Sequence, residues 1–298
     1  MRKILLTVAA ALALLAPAVA QSLPAPATQT PAPATAAPAQ TAPAPAAPKG
    51  LKPPPQAQTP EEYAAYTAAI QATGGPDPAA AEAAARDFQA KYPKSELTTG
   101  LYMALLFRGL QSNDSDKAVE MGRMVLKLDP TNPVAAIYTG LVLAETTREG
   151  DIDASQNFDE AEKDANIGLQ NVDTNLMLAG NVPQEQVVAT KNDLKARGYD
   201  TLGLVAFKRG DFTTAEKNFR QSIQVRGEPG EAMTHLRLAL SLDKQSKYKD
   251  ALPEAQKAVS LAKPEDNVSK SSQAEVERLQ KLTGAGGAAP AAALPPAR

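Results

Sequence analysis

The strongest constraint on what this chain can fold into is an internal repeat. Tyr199, Leu202, Gly203 and Ala206, followed by Phe212, Ala215 and Phe219, recur 36 residues later as His235, Leu238, Ala239 and Leu242, followed by Tyr248, Ala251 and Ala255. Within each set, steps of three, four and seven place these residues on one helical face. A polar break, Lys208-Arg209-Gly210-Asp211 in one copy and Lys244 to Lys247 in the other, divides each set in two. The repeated unit is therefore a helix–turn–helix. No such pair buries its apolar stripes alone, so units must stack, and the terminal units need capping. Small residues at Gly203, Ala215, Ala239 and Ala251 are expected to let helices approach closely, with Tyr199, Leu202 and Phe219 filling the gaps. No segment alternates with β-branched enrichment, so no strand is expected.

Related patterns run upstream. Tyr102-x2-Leu105 is followed by Ala118, Val125 and the turn Leu128-Asp129-Pro130-Thr131-Asn132-Pro133. A less regular unit carries Gly140 and Leu143, an enlarged turn, then Phe158, Ala161, Ala165 and Gly168. Tyr63 to Ala72 and Pro78 to Tyr92 read as another pair, with Ala84-x3-Phe88-x3-Tyr92-Pro93. Together with Tyr199-x2-Leu202-Gly203 and Ala215-x3-Phe219, these residues resemble the tetratricopeptide repeat (TPR) family. The resemblance covers most of residues 59–283. It implies an all-α chain, an α-solenoid of stacked helix–turn–helix units, with Lys270 to Leu282 as a polar-faced C-terminal capping helix. Two departures stand out. The turn at Thr146–Gln156 is long, and Asn171–Asn192 is extra. The latter is expected to lengthen the helix entering the Tyr199 unit, with Pro183 near its start.

The ends of the chain read differently. Arg2 and Lys3 precede an apolar run from Ile4 to Leu15, then Pro17 and Ala18-Val19-Ala20. This is the layout of a secretory signal peptide cleaved after Ala20. The run is too short to span a bilayer comfortably, since about 20 residues are needed. Residues 21–58 are almost all Pro, Ala, Thr and Gln, too polar and proline-rich to bury a core, and are expected to be a disordered, PPII-like linker. The tail at 284–298 has the same character. The expected destination is the periplasm or the exterior, with no membrane span after cleavage.

Charge and chemistry narrow the function. All 33 acidic residues lie within 59–283, whereas five of the 31 basic ones (Arg2, Lys3, Lys49, Lys52, Arg298) lie outside, leaving 26 against 33. A mildly acidic repeat region argues against a nucleic-acid partner. There is no Cys, hence no disulfide, thiol nucleophile, thiolate metal site or lipid-acceptor Cys. His235 is the only histidine and stands where the repeat places a bulky core residue. Ser-His and Cys-His triads lack support, as do common zinc sites and phosphate loops, and no cofactor is implied. Carboxylate pairs such as Asp159 with Glu160, or Glu265 with Asp266, suit solvated helix faces. Asp77 and Asp211 are expected N-caps. One metal pattern remains: Asp151, Asp153, Ser155, Asn157, Asp159 and Glu162 match the spacing of an EF-hand calcium loop, but Gln156 replaces the Gly of its sharp bend. The other reading is an acidic turn in which Asp153 or Ser155 caps the next helix.

The chain is thus expected to be a non-enzymatic interaction module that holds a peptide or protein segment in the concave groove of the solenoid. The resemblance places Met103, Phe107 and Leu110 in that groove in one unit, Asp200, Leu204, Phe207 and Lys208 in another, and Leu236, Leu240 and Lys244 in the next. Several are apolar yet lie off the packing stripe, which suggests a partner segment or burial against the insertions. A calcium-responsive protein using Asp151–Glu162, and a self-associating structural unit, are the alternatives.

Overall fold

The computed structural model describes residues 51–178 and 182–284. The expected signal peptide and its cleavage site, residues 21–50 of the expected linker, and the expected tail beyond Gly284 lie outside the described residues. Among them are eleven helices and no strand: α1 (Pro60–Thr73), α2 (Pro78–Lys91), α3 (Thr98–Ser112), α4 (Ser115–Leu128), α5 (Pro133–Thr146), α6 (Ala154–Asn175), α7 (Gln184–Lys208), α8 (Phe212–Arg226), α9 (Ala232–Lys244), α10 (Tyr248–Leu261) and α11 (Asn267–Thr283). None of these is long and apolar enough to cross a membrane.

Helix starts are written locally. The side chains of Thr59, Asp77, Asp114, Asn132 and Asp211 accept from backbone N–H groups of the first turns of α1, α2, α4, α5 and α8. Each such cap contributes about 1 kcal/mol. Pro60, Pro78 and Pro133 occupy the first helical position, where a missing N–H costs nothing. Asp77 and Asp211 cap as expected. Asp153 occupies the N-cap position of α6 but makes no side-chain cap bond.

The helices pair in order, α1 with α2, α3 with α4, α5 with α6, α7 with α8 and α9 with α10, and α11 closes the stack against α10 and α9. First helices also touch along the stack, α1 with α3, α5 with α7, α7 with α9 and α9 with α11. Close approach depends on the small residues of the repeat. A Cβ on Gly203 would lie 2.7 Å from the ring of Phe219, and one on Gly140 would lie 2.8 Å from the carbonyl oxygen of Ala161. Ala215, Ala239, Ala251 and Ala255 are fully buried. The central helix α5 is buried on nearly all sides, so its apolar residues show no single stripe. The capping helix α11 buries Leu279 and half-buries Val276, while Leu282 is exposed.

Ion pairs tie the second helices to neighbouring units along the stack. Lys117 of α4 pairs with Glu82 of α2 at 2.9 Å, and Arg123 of α4 with Glu160 of α6 at 2.6 Å. Arg209, at the end of α7, reaches Glu162 of α6 at 2.6 Å, and Lys247, before α10, reaches Glu216 of α8 at 2.8 Å.

The linker ends earlier than the composition suggests. Residues 51–58 lie against the solenoid. Lys52 N donates to the Leu176 carbonyl at 2.9 Å, its Nζ pairs with Asp129 Oδ2 at 3.1 Å, and Leu51 and Ala57 pack on the core. Composition foretells the absence of helix and strand here, but not that the repeat supplies an acid and a carbonyl to hold the segment.

Candidate binding surface

The first helices carry the residues expected to face a partner, and the structure divides those residues. Phe107 is buried edge-to-face on Tyr138 of α5, with ring centroids 5.4 Å apart. Leu110 is buried at a crevice also lined by Gly109, Asn113, Val142, Glu145 and Thr146. Leu204 and Leu236 are buried too. These four are buried and do not form an open apolar wall. Met103, Phe207 and Leu240 are half-buried, with Phe207 edge-to-face on Phe212 at 5.3 Å. Lys244, at the end of α9, is exposed.

Lys208, half-buried, is engaged within the chain. Its Nζ donates to the carbonyl oxygens of Ala144 at 2.6 Å, Glu145 at 3.3 Å and Thr147 at 2.6 Å. These carbonyls close the C-terminal end of α5, where the last helical turn leaves acceptors without intrahelical partners. Burial pushes the Lys208 ammonium below its usual range, against the pull of Glu145. Arg108 does the same two units earlier: from α3 it donates to the carbonyls of Thr73, the last residue of α1, at 3.0 Å and of Pro76, beyond that helix, at 3.2 Å. A basic side chain of a first helix thus seals the end of the preceding unit's first helix.

Asp200 is fully inside. The Thr234 hydroxyl donates to its two oxygens at 3.1 and 3.2 Å. Burial raises its pKa to about 6, opposed chiefly by Arg237. Arg237 of α9 in turn pairs with Glu145 of α5 at 2.6 Å, passing over α7. Nearby, Asp193 accepts from Arg197 at 2.8 Å and also from Arg226, which reaches Glu231 at 2.9 Å. Burial works against the Asp193 charge, but Arg197 and Arg226 outweigh it and hold its carboxyl below the usual carboxylate range. Arg197 also lies 5.8 Å from the Tyr138 ring centroid. Sequence reasoning passed over Glu145, Arg197 and Arg237, because their partners on other helices are legible only once the stack is built.

The Asp151–Glu162 segment does not form an encircling loop. From Ala154 onward it is helix, which spreads Ser155, Asn157, Asp159 and Glu162 around and along α6. Asp159 and Glu162 are both ion-paired to Arg209, and Asp151 accepts from the backbone N–H of Arg148 at 2.7 Å. Among the described residues, no group of three or more His, Cys, Asp or Glu is arranged to hold a metal ion. His235 is buried, as its place in the repeat implied, but both ring nitrogens are engaged: Nδ1 lies 2.7 Å from Glu254 Oε2 and Nε2 lies 3.0 Å from the Pro229 carbonyl oxygen.

Neither a family model nor a curated protein matches the sequence. Solved structures match the architecture. Pseudomonas aeruginosa PilF is 19% identical over 75% of this chain and 86% of its own, with a TM-score of 0.52. The chain folds as a TPR solenoid. MamA of Desulfovibrio magneticus RS-1 (17% identical, 71% of this chain and 100% of that one, TM-score 0.49) and a thermophilic TPR protein of Thermus thermophilus (16%, 72% and 99%, 0.42) are also similar. At these identities the likeness concerns the fold alone. Within the TPR frame, Met103, Phe207, Leu240 and Lys244 are expected groove residues that keep accessible surface, as does Lys208, whose ammonium is nonetheless engaged by α5.

Proposed function

We propose that the protein is a non-catalytic interaction scaffold, exported to the periplasm or beyond, that holds a peptide or protein segment along the first-helix side of its TPR stack. The observation that carries this reading is the partly open set Met103, Phe207 and Leu240, with Lys244 exposed at its end. Half-buried apolar side chains on first helices, with an exposed cation at the end of α9, suit an amphipathic segment with an acidic residue. The mildly acidic charge of the repeat region speaks against nucleic acid as the partner. Export rests on the sequence of residues 1–20, whose charged start, short apolar run and small-residue site have the form of a signal peptide. Affinity on the order of micromolar suits capture of an extended segment that loses entropy on binding.

The test is a crosslinked pull-down from envelope extract with the full chain as bait and a Leu240→Asp, Lys244→Glu variant as control. Both positions lie outside the fully buried core, so the variant should keep its helicity, checked by circular dichroism. Phe107 is unsuitable for such a control, because a charge there would enter the core. A partner captured by the wild type and lost with the folded variant supports the reading. An equal catch with both baits removes this surface from consideration.

A further inference from the structure

We propose that the surface beneath residues 51–58 is a docking site for an extended, proline-rich, cationic segment of a partner protein, occupied here by the chain's own strap. The strap reads Leu51-Lys52-Pro53-Pro54-Pro55-Gln56-Ala57-Gln58. Three consecutive prolines fix φ near the PPII value and drive the residues before them to extended backbone. The burial pattern has the matching period. Leu51, Pro54 and Ala57 are half-buried, as are Lys52 and Pro55, whereas Pro53, Gln56, Gln58 and Thr59 are exposed, so the period rests on the Leu51, Pro54 and Ala57 face. A PPII helix has three residues per turn, so one continuous face of it rests on the solenoid. The seat reads three features: the apolar face, through Leu51 and Ala57; a backbone N–H, through the Leu176 carbonyl; and a cation, through Asp129. Asp129 belongs to the α4–α5 turn and Leu176 follows α6, so the seat crosses a junction between units.

None of these features is peculiar to residues 51–58. Backbone bonds and a PPII face are read without regard to most side chains. The chain itself carries related text at Leu294-Pro295-Pro296-Ala297-Arg298. The acidic balance of the repeat region favours a cationic ligand. The hold on the strap is also slight: the Lys52 side chain is 40% exposed, and exposed pairs of this kind contribute little. What keeps the strap seated is its direct continuity with α1, which makes its effective concentration high. A partner segment of the same chemistry, presented at high local concentration, would displace it. This site is separate from the first-helix surface of Met103, Phe207, Leu240 and Lys244, so either can fail without the other.

The probe is a fluorescent peptide of residues 49–60, titrated by anisotropy into three full-length proteins. These are the wild type, a strap-released Leu51→Asp, Lys52→Glu variant, and that variant with Asp129→Lys added. The strap-released protein is expected to bind about tenfold more tightly than the wild type, where the seat is taken. Adding Asp129→Lys should reverse that gain, and a probe with Glu in place of its Lys52 should restore it. Equal or undetectable binding by the wild type and the strap-released protein, both folded by circular dichroism, overturns the proposal. A wild-type dimer at high concentration that vanishes on strap release assigns the seat to strap exchange between copies, and overturns it likewise.

Discussion

His235 shows how a packing position can carry charge. Both its neighbours, the Glu254 carboxylate and the Pro229 carbonyl, are acceptors, so only the doubly protonated ring satisfies both. Burial opposes that charge, but the hydrogen bonds to Glu254 and Pro229, with the negative fields of Glu254 and Glu228, outweigh it and raise the His235 pKa above its ordinary value. A raised pKa places the stabilisation below the ordinary value of 6.5 and removes it as pH rises through the folded value. His235→Gln should therefore cost about 1–3 kcal/mol near pH 5 and progressively less towards pH 9, as read by thermal or urea unfolding across pH. A cost that does not change with pH would mean the ring is neutral and only packs. Asp200 and Asp164, raised by burial to about 6 and about 7, act in the same direction, so the wild-type-minus-variant difference is the quantity to follow. The repeat register made the burial of His235 legible. Glu254 was not legible as its partner, because it lies 19 residues away on the facing helix and carries no mark of the pairing in the local pattern.

At the scale of elements, boundaries and pairings were largely written in the chain. Pro and Asp, Asn or Thr mark the starts, and the 36-residue offset fixed α7 to α10. Of the extra Asn171–Asn192 segment, the described residues give the end of α6 and the start of α7, with Pro183 at the N-cap. What the pattern did not disclose is which off-stripe residues stay open. Phe107, Leu110, Leu204 and Leu236 are buried once the helices stack, Phe107 against Tyr138 of α5, which no single helix encodes. Lys208 looks like a groove cation in sequence and is instead the C-terminal seal of α5. Its replacement by Met keeps the aliphatic stem but leaves the carbonyls of Ala144 and Thr147 without the ammonium. Urea denaturation should show Lys208→Met losing about 1–3 kcal/mol, whereas Lys244→Met at the open end of α9 should stay within about 0.5 kcal/mol of the wild type. Equal small effects would show that solvent replaces the seal.

For the molecule as a whole, stability is the sum of units and the junctions between them. α5 is buried nearly all round, while α1 and α11 each have a stacking neighbour on one side only. Hydrogen exchange of the full chain should therefore be slowest in α5 and the facing part of α6, and fastest in α1 and α11. Uniform protection along the stack would instead mean a single cooperative block. The outer ion pairs add little to this ordering, since exposed pairs typically contribute less than about 1 kcal/mol. The all-α solenoid was legible from the repeat alone. The order of residues 51–58 was not, because low hydrophobicity describes what a segment lacks by itself and says nothing of what a neighbouring surface can offer it.

A stack in which each unit touches only the next behaves like a coil spring, free to change pitch at every turn. The Arg237–Glu145 pair breaks that rule, because it ties α9 to α5 across α7. The three units from α5 to α10 are thereby linked beyond nearest neighbours and are expected to resist a change of pitch together. At the other end, a small crevice lined by Leu110 and Thr146 lies between α3 and α5, beside the Phe107–Tyr138 contact. Pulling on the two ends of this molecule would open it there first, across the junction that the residue 51–58 strap already bridges from outside.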